Sequence, residues 1–145
     1  ADAIGAERVG MRVSPYGVFN GTQGDFEGVH EQFVALAKAL GELGLVYLHL
    51  VNHESLGAPT VPEEIKAGLR EVFPNTFVLS GGYDSERAER DLAENKGDLV
   101  AFGRPFLANP DLLDRFVAGA ELNDPKFDTF YTPGPEGYTD YPTKG

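Results

Sequence analysis

Residues 97–106 read GDLVAFGRPF, and this stretch decides how the rest of the chain is interpreted. A short apolar run over residues 99–102 is followed at once by Gly103, Arg104 and Pro105. An apolar run of this length that ends in glycine is typical of a strand buried in a sheet. The arginine therefore lies where the predicted strand ends, after a glycine that has no Cβ and before a proline that restricts the backbone.

The same order of strand and helix occurs four times along the chain. β-branched and aromatic runs predict strands, and apolar residues at helical spacing predict the helices that follow them. The predicted strands cover residues 9–13, 45–51, 76–82 and 98–103, and the predicted helices cover 26–43, 62–72, 84–97 and 109–117. Because apolar strands of this kind are covered on both faces, the four β-α units predict a parallel sheet. Periodicity does not decide between an open doubly wound sheet and half of an eight-fold barrel.

The 145-residue chain carries 23 acidic and 12 basic residues, which gives a formal net charge of −11. This balance argues against a nucleic-acid partner, because phosphate neutralisation needs a basic surface. The absence of cysteine excludes disulfides and thiolate metal sites, and it fits the cytoplasm, our expected location. No apolar run is long enough for a membrane-spanning helix, so we expect no membrane partner.

The sequence contains no recognisable catalytic or metal-binding motif. The three histidines, His30, His49 and His53, form no metal-ligand pattern, and HExxH is absent. GxSxG and GxxxxGKS/T are absent as well, which excludes the hydrolase nucleophile motif and the phosphate-binding P-loop. We therefore predict no catalytic residue and no metal site in this chain.

Two of the predicted strand ends carry residues that suit a phosphate group. Gly81 and Gly82 follow the third strand, and Gly103 and Arg104 follow the fourth. In both candidate architectures, ligands bind at the carboxyl ends of parallel strands. Glycine lets backbone N–H groups approach an anion, and arginine offers a planar fork to phosphate oxygens. The alternative is that the glycines only form tight turns and that Arg104 pairs with an acidic side chain.

Arg12 stands inside the first predicted strand, VGMRV. A charge at this position would be buried and costly unless the side chain meets a partner. One alternative is an internal ion pair. The other is contact with an electron-rich ligand atom above the carboxyl edge of the sheet, which makes Arg12 a candidate ligand-binding residue.

Residues 121–145 are rich in glycine, proline and aromatic residues and show no clear period. We expect an ordered loop here, because its aromatic side chains would be costly to leave in water. Within it, Tyr131 either packs over the end of the sheet or uses its ring face and hydroxyl to line a ring-binding site.

Five motifs cover nearly the whole chain: GAERVGMRVSP (5–15), LGLVYLHLV (43–51), LSGGYDSERAE (79–89), LVAFGRPFLANPDL (99–112) and FYTPGPEGYTDYP (130–142). In their order and spacing they resemble the old yellow enzymes, the flavin-dependent ene-reductases. The resemblance is strongest to the bacterial reductases of the N-ethylmaleimide and pentaerythritol tetranitrate type. It implies an α/β fold, the (β/α)8 or TIM barrel. Residues 1–120 would be its C-terminal half, strands five to eight, and residues 121–145 would close over the barrel mouth.

The resemblance also implies non-covalently bound FMN and roles for the residues named above. Arg12 matches the arginine that contacts the flavin ring around N1 and O2. The residues that match the FMN phosphate site are Gly81, Gly82, Gly103 and Arg104.

By the same resemblance, Tyr131 lies near the substrate, and the whole enzyme uses NAD(P)H to reduce activated C=C bonds in enones, maleimides and nitroalkenes. The family's substrate-anchoring pair, its proton-donating tyrosine and its flavin-contacting Thr and Gln lie in an N-terminal half that this chain does not match. We therefore expect a second chain or fragment to complete the barrel. The opening residues, ADAIGA, read as the end of a helix that begins elsewhere, as a partial chain would. The alternative is a non-catalytic half barrel, natural or engineered, that binds phosphate or FMN and self-associates.

Overall fold

The computed structural model describes residues 1–144, in which strands and helices alternate. The strands are β1 (Gly10–Val13), β2 (Tyr47–Val51), β3 (Thr76–Ser80) and β4 (Leu99–Ala101), and the helices are α1 (Val29–Glu42), α2 (Glu63–Val72), α3 (Ser85–Ala93), α4 (Arg104–Ala108) and α5 (Leu112–Ala118). Short 3-10 turns lie at Ala6–Arg8, Glu54–Leu56 and Phe127–Thr129. The chain forms two compact units, Ala1–Ala101 and the part from Phe102 onward.

The first unit is built on a parallel sheet with the strand order β1-β2-β3-β4. Strand order decides between the two architectures that periodicity left open. A doubly wound sheet reverses its strand order at a switch point, whereas the strands of a barrel follow one another around the ring. The consecutive order observed here is that of a barrel segment.

One face of this sheet is covered by α1 and α2. Leu48 and Phe77 on that face are fully buried, as are Ile65 and Leu69 of α2. A right-handed crossover between neighbouring parallel strands places every connecting helix on the same side. The buried residues of this core are Val13, Ala37, Leu40, Leu45, Leu48, Leu50, Val61, Ile65, Leu69, Phe73, Phe77 and Leu79.

The opposite face, which we call the open face, is defined by the paired residues Arg12, His49, Val78 and Leu99. Leu99 on this face is 55% exposed, and Tyr47, two residues before His49, is 41% exposed. The prediction that the strands are covered on both faces is therefore wrong for residues 1–144. The cause is the crossover rule, which leaves no helix for the second face.

In the second unit, the buried side chain of Arg115 holds the tail in place. Its guanidinium donates to Asp111 Oδ1 at 2.7 Å, to the Glu121 carbonyl at 2.6 Å and to the Pro142 carbonyl at 3.0 Å. These bonds satisfy a charge that would otherwise be costly to bury. Apart from the turn Phe127–Thr129, residues 121–144 contain no helix or strand. The prediction of a loop without regular structure is confirmed for these residues.

Several element ends differ from the predicted ones for local reasons. Helix α1 begins at Val29 rather than at residue 26, because Gly28 takes a left-handed conformation with φ +84°. Asp84 caps α3 by accepting the Arg87 backbone N–H. The five-residue helix α4 was missed because so short a run shows no helical period. The longest helix in residues 1–144 has 14 residues, and no helix in this range can span a bilayer.

Leu69→Ala should lower the free energy of unfolding by about 2–5 kcal/mol, because it leaves a cavity where Leu69 is fully buried. The matched control is Leu43→Ala, at a side chain that is 59% exposed, with an expected loss of about 0.5 kcal/mol or less. Chemical denaturation followed by circular dichroism measures both. Equal losses would contradict the assigned core.

Candidate functional site

The carboxyl ends of the four strands lie at one edge of the sheet, because all four strands are parallel and in register. Val13 pairs with Leu50, Val51 pairs with Ser80, and Ser80 pairs with Ala101. The predicted site residues lie in or directly after these strand ends. They are Arg12 in β1, Gly81 and Gly82 after β3, and Gly103 and Arg104 after β4, the last two belonging to the second unit.

Arg12 is exposed, so the prediction that it would be buried in the strand is wrong. The reason is the open face: Arg12 pairs in register with His49 there, and no helix covers it. No carboxylate of residues 1–144 forms an ion pair with its guanidinium. The internal ion pair is therefore excluded within this range, and an electron-rich ligand atom is the remaining alternative.

Two histidines experience the charge of Arg12. Burial first, and then the nearby Arg12 guanidinium, lower the pKa of His49 below its ordinary value. The same two causes, in the same order, lower the pKa of His53, just beyond the end of β2. His49 Nε2 lies 2.9 Å from Ser80 Oγ, and the His53 ring meets the edge of Phe19 with centroids 5.2 Å apart. Both imidazoles are thus neutral at pH 7, which leaves Arg12 as the cation of this group.

Gly81 and Gly82 both require glycine, but for different reasons. Gly81 has φ +108°, and a Cβ there would collide with the backbone carbonyl of Asn52 on the neighbouring strand end. Gly82 has φ +65°, yet a Cβ would come no closer than 3.6 Å to any other atom. Gly81 therefore serves the packing of the sheet edge, whereas at Gly82 only the left-handed φ favours glycine.

The sequence pattern did not single out Arg87, whose Nη1 lies 3.9 Å from the position that a Cβ of residue 82 would take. Arg87 Nη1 donates to the Gly82 carbonyl at 3.5 Å, and the guanidinium stacks 4.3 Å from the centroid of the Tyr83 ring. Asp91 holds Arg87 from the other side at 3.7 Å. The signal available in the sequence was a basic residue in the first turn of the helix after Gly81–Gly82, but spacing alone did not distinguish it from other surface cations.

Gly103 and Arg104 form the start of α4 in the second unit. Gly103 has φ −90°, outside the left-handed region, and a Cβ would meet no atom within 4 Å. Arg104 is half-buried, with its guanidinium carbon 5.9 Å from the centroid of the Phe127 ring. The position thus combines a cation with open space beside the preceding backbone.

Tyr131 lies in the tail of the second unit and is 97% exposed. Its backbone adopts the left-handed conformation, with φ +68°, and its backbone N–H donates to Tyr138 Oη at 2.8 Å. In this unit its ring therefore presents both faces and the hydroxyl to solvent, apart from an edge contact with Phe130. The proposed substrate contact of Tyr131 stays a prediction.

Each unit by itself offers groups that suit one part of FMN, a ligand with a phosphate at one end and an electron-rich ring at the other. In the second unit, the backbone of Gly103 has open space beside it for an oxyanion, and Arg104 supplies a guanidinium. Arg12 offers a second, exposed guanidinium on the open face. Within residues 1–144 no cluster of three His, Asp or Glu side chains is placed to hold a metal ion.

Comparison with known proteins identifies the family. The pattern of the NADH:flavin oxidoreductase / NADH oxidase family matches residues 1–123. The chain belongs to this family, in which the old yellow enzymes are found.

Individual relatives agree with this assignment. A 12-oxophytodienoate reductase-like protein of Solanum lycopersicum is 39% identical over 145 residues, which span 98% of this chain and 38% of the relative. Morphinone reductase, solved in complex with tetrahydroNAD, is 41% identical, with a TM-score of 0.84 over 99% of this chain and 38% of that one. The old yellow enzyme from Trypanosoma cruzi is 35% identical, with a TM-score of 0.83 over 99% and 37% of the two chains. These structures are TIM barrels, so this chain has the fold of half such a barrel and spans less than two fifths of the relatives' length.

The three glycines should differ in their tolerance of alanine. Gly81→Ala combines left-handed strain with the Asn52 collision and should cost more than about 2 kcal/mol, whereas Gly82→Ala carries only strain of about 1–2 kcal/mol. Gly103→Ala should stay within about 0.5 kcal/mol of the parent chain. Denaturant midpoints rank the three variants. A Gly103→Ala protein that unfolds as easily as Gly81→Ala would show that Gly103, too, serves the fold.

Proposed function

We propose that this chain is the FMN-binding part of an NAD(P)H-dependent ene-reductase that reduces activated C=C bonds such as those of enones, maleimides and nitroalkenes. The observation that carries the proposal is the family match over residues 1–123 together with guanidinium and glycine residues at three of the four strand ends. When bound, FMN supplies the hydride transfer between the nicotinamide and the alkene.

Arg12 binds the pyrimidine edge of the flavin, around N1 and O2. Its guanidinium is exposed on the open face, and no carboxylate of residues 1–144 competes for it, although the chain carries 23 acidic residues. A planar fork of N–H donors suits adjacent nitrogen and oxygen acceptors, and its positive charge favours added electrons on the ring. Arg12 thus both orients the cofactor and raises its reduction potential.

Gly81, Gly82, Gly103 and Arg104 bind the FMN phosphate. The two glycine-containing exits start from paired strand ends, because Ser80 is the register partner of Ala101. The backbone beside Gly82 and Gly103 has no Cβ in the way, and the Arg104 guanidinium donates to phosphate oxygens as a charged fork. The basis for assigning these four residues to the phosphate is their match to the phosphate site of the family.

Tyr131 contacts the substrate. Its exposed ring and hydroxyl can stack on a planar alkene and donate to a carbonyl or nitro oxygen. The acid and base groups of the reaction, and the groups that anchor the substrate, are supplied by an N-terminal half. No residue of this chain is proposed to transfer a proton.

The partner is that N-terminal half of the same barrel, on a second chain or fragment. The edge strands β1 and β4 each have a pairing partner on one side only, and unpaired strand edges bind further strands. Intact-mass and native mass spectrometry of the active, yellow protein should find a polypeptide that supplies the remaining strands. A yellow, active species made of this chain alone would contradict the proposal.

A second candidate is a non-catalytic half barrel that binds phosphate or FMN and self-associates. The exposed apolar residues of the open face, Leu99 above all, favour it, since a second copy could cover them. The same mass measurement separates the two, because this candidate predicts an assembly of identical chains without ene-reductase activity.

Arg104→Ala in the completed protein should weaken FMN binding by about 1.5–3 kcal/mol, the contribution of a charged hydrogen bond. The matched control is Arg90→Ala on α3, a 54% exposed guanidinium that should leave FMN affinity unchanged. Fluorescence titration of the apoprotein with FMN gives both dissociation constants. An Arg104→Ala protein that retains FMN as tightly as the control removes the phosphate role.

Arg12→Ala should lower the midpoint potential of bound FMN, because it removes a positive charge beside the ring that takes up electrons. Arg12→Lys keeps the positive charge but loses the planar set of N–H donors. Relative to Arg12→Ala, it should therefore recover part of the midpoint potential and a smaller part of the FMN affinity. Spectroelectrochemical titration measures the potentials. An unchanged midpoint potential in Arg12→Ala would show that Arg12 does not lie beside the flavin ring.

A further inference from the structure

His49 is fixed on the open face between a charged and a neutral neighbour. It is the register partner of Arg12 on β1. On its other side, Nε2 lies 2.9 Å from Ser80 Oγ of β3. Neighbouring strands are about 4.8 Å apart, so the imidazole occupies the sheet surface next to the base of the Arg12 side chain.

The contacts of Ser80 bear on which nitrogen of His49 carries the proton. Ser80 Oγ has one hydrogen to donate and two neighbours within hydrogen-bond distance, the Leu50 carbonyl at 3.2 Å and His49 Nε2 at 2.9 Å. The Leu50 carbonyl can only accept, so we assign the Ser80 hydrogen to it. Ser80 Oγ then accepts from His49 Nε2–H, and the lone pair of the ring lies on Nδ1.

The surroundings of His49 keep this tautomer neutral. Arg12 is the charged group that faces it, and burial and Arg12 together lower its pKa. Tyr47 and His53 are the further titratable groups at this part of the sheet. The neighbouring strands otherwise contribute uncharged residues to the open face, namely Gly10, Thr76, Val78, Ser80, Leu99 and Ala101.

We propose that His49 is a positioning residue for Arg12: held by Ser80 as the Nε2–H tautomer, its ring blocks the sheet surface beside Arg12 and keeps the guanidinium directed away from the sheet, where the flavin edge binds. This inference rests on the proposed function of Arg12. With the ring absent, the Arg12 side chain can lie across the open face toward Ser80. With a cation at position 49, the guanidinium would be repelled from its place.

The local part of the inference is tested without relying on turnover, by NMR of the imidazole nitrogens in the completed apoprotein. His49 should appear as the Nε2–H tautomer and titrate below about pH 6.5, the ordinary histidine value. Ser80→Ala should release a mixture of tautomers at His49 only, and Arg12→Gln should raise the pKa of both His49 and His53. His53 is the internal control, because the Arg12 charge also lowers its pKa, whereas no hydrogen bond joins it to Ser80 within residues 1–144. If His49 of the parent protein is found as the Nδ1–H tautomer, the inference is overturned.

The functional part is tested by the midpoint potential of FMN in the completed holoprotein. His49→Ala should shift the potential in the direction of Arg12→Ala, and His49→Gln, whose amide can still donate to Ser80, should restore it. His53→Ala should leave it unchanged. A shift in Arg12→Ala with none in His49→Ala overturns the inference and leaves the proposed function standing. No shift in either variant overturns the proposed role of Arg12 and the inference with it.

Discussion

The in-register parallel pairing of the four strands is the constraint on which the other features depend. Because side chains alternate between the two faces of a strand, the pairing of Arg12 with His49 fixes the face of every neighbour. The intervening residues Leu48 and Phe77 must then point toward the helices, where they are fully buried. A slip of one residue would bury Arg12 under α1 and α2 and expose the core, so the apolar packing and the candidate site are specified together.

The open face carries a charged side chain, Arg12, that would be costly to bury in an apolar core. Arg12 is exposed there without an ion pair within residues 1–144, beside an imidazole whose pKa is lowered by burial and by Arg12 itself. This surface lies open in residues 1–144, and the chain spans 38% of the length of a relative. Covering it with apolar side chains alone would bury a guanidinium at great cost, whereas a ligand with acceptor atoms satisfies it.

Periodicity in the sequence was sufficient to predict four strands, the residues at their ends and the helices of the β-α units, although not the short helix α4 directly after β4. It failed where the environment of a residue depends on neighbours that are distant in the sequence. The collision that demands glycine at position 81 comes from the Asn52 carbonyl, 29 residues earlier, and the exposure of Arg12 follows from all crossovers having one hand. The hydrogen bonds that hold the tail depend on Arg115 and Asn123. The backbone N–H of Asn123 donates to Asn109 Oδ1 at 2.7 Å. No local sequence pattern identifies such partners.

The glycines at the strand ends differ in whether the fold itself requires them. Gly81 is explained by the sheet, because its φ and its contact with Asn52 exclude any side chain. Gly103 has neither constraint: its φ is negative, and the space where a Cβ would stand is open within the described chain. A glycine that the fold does not demand, directly before a guanidinium at a strand end, is best explained by a group that approaches the backbone from outside the chain. The proposed FMN phosphate is such a group, which makes Gly103 and Arg104 better candidates for its binding than Gly81.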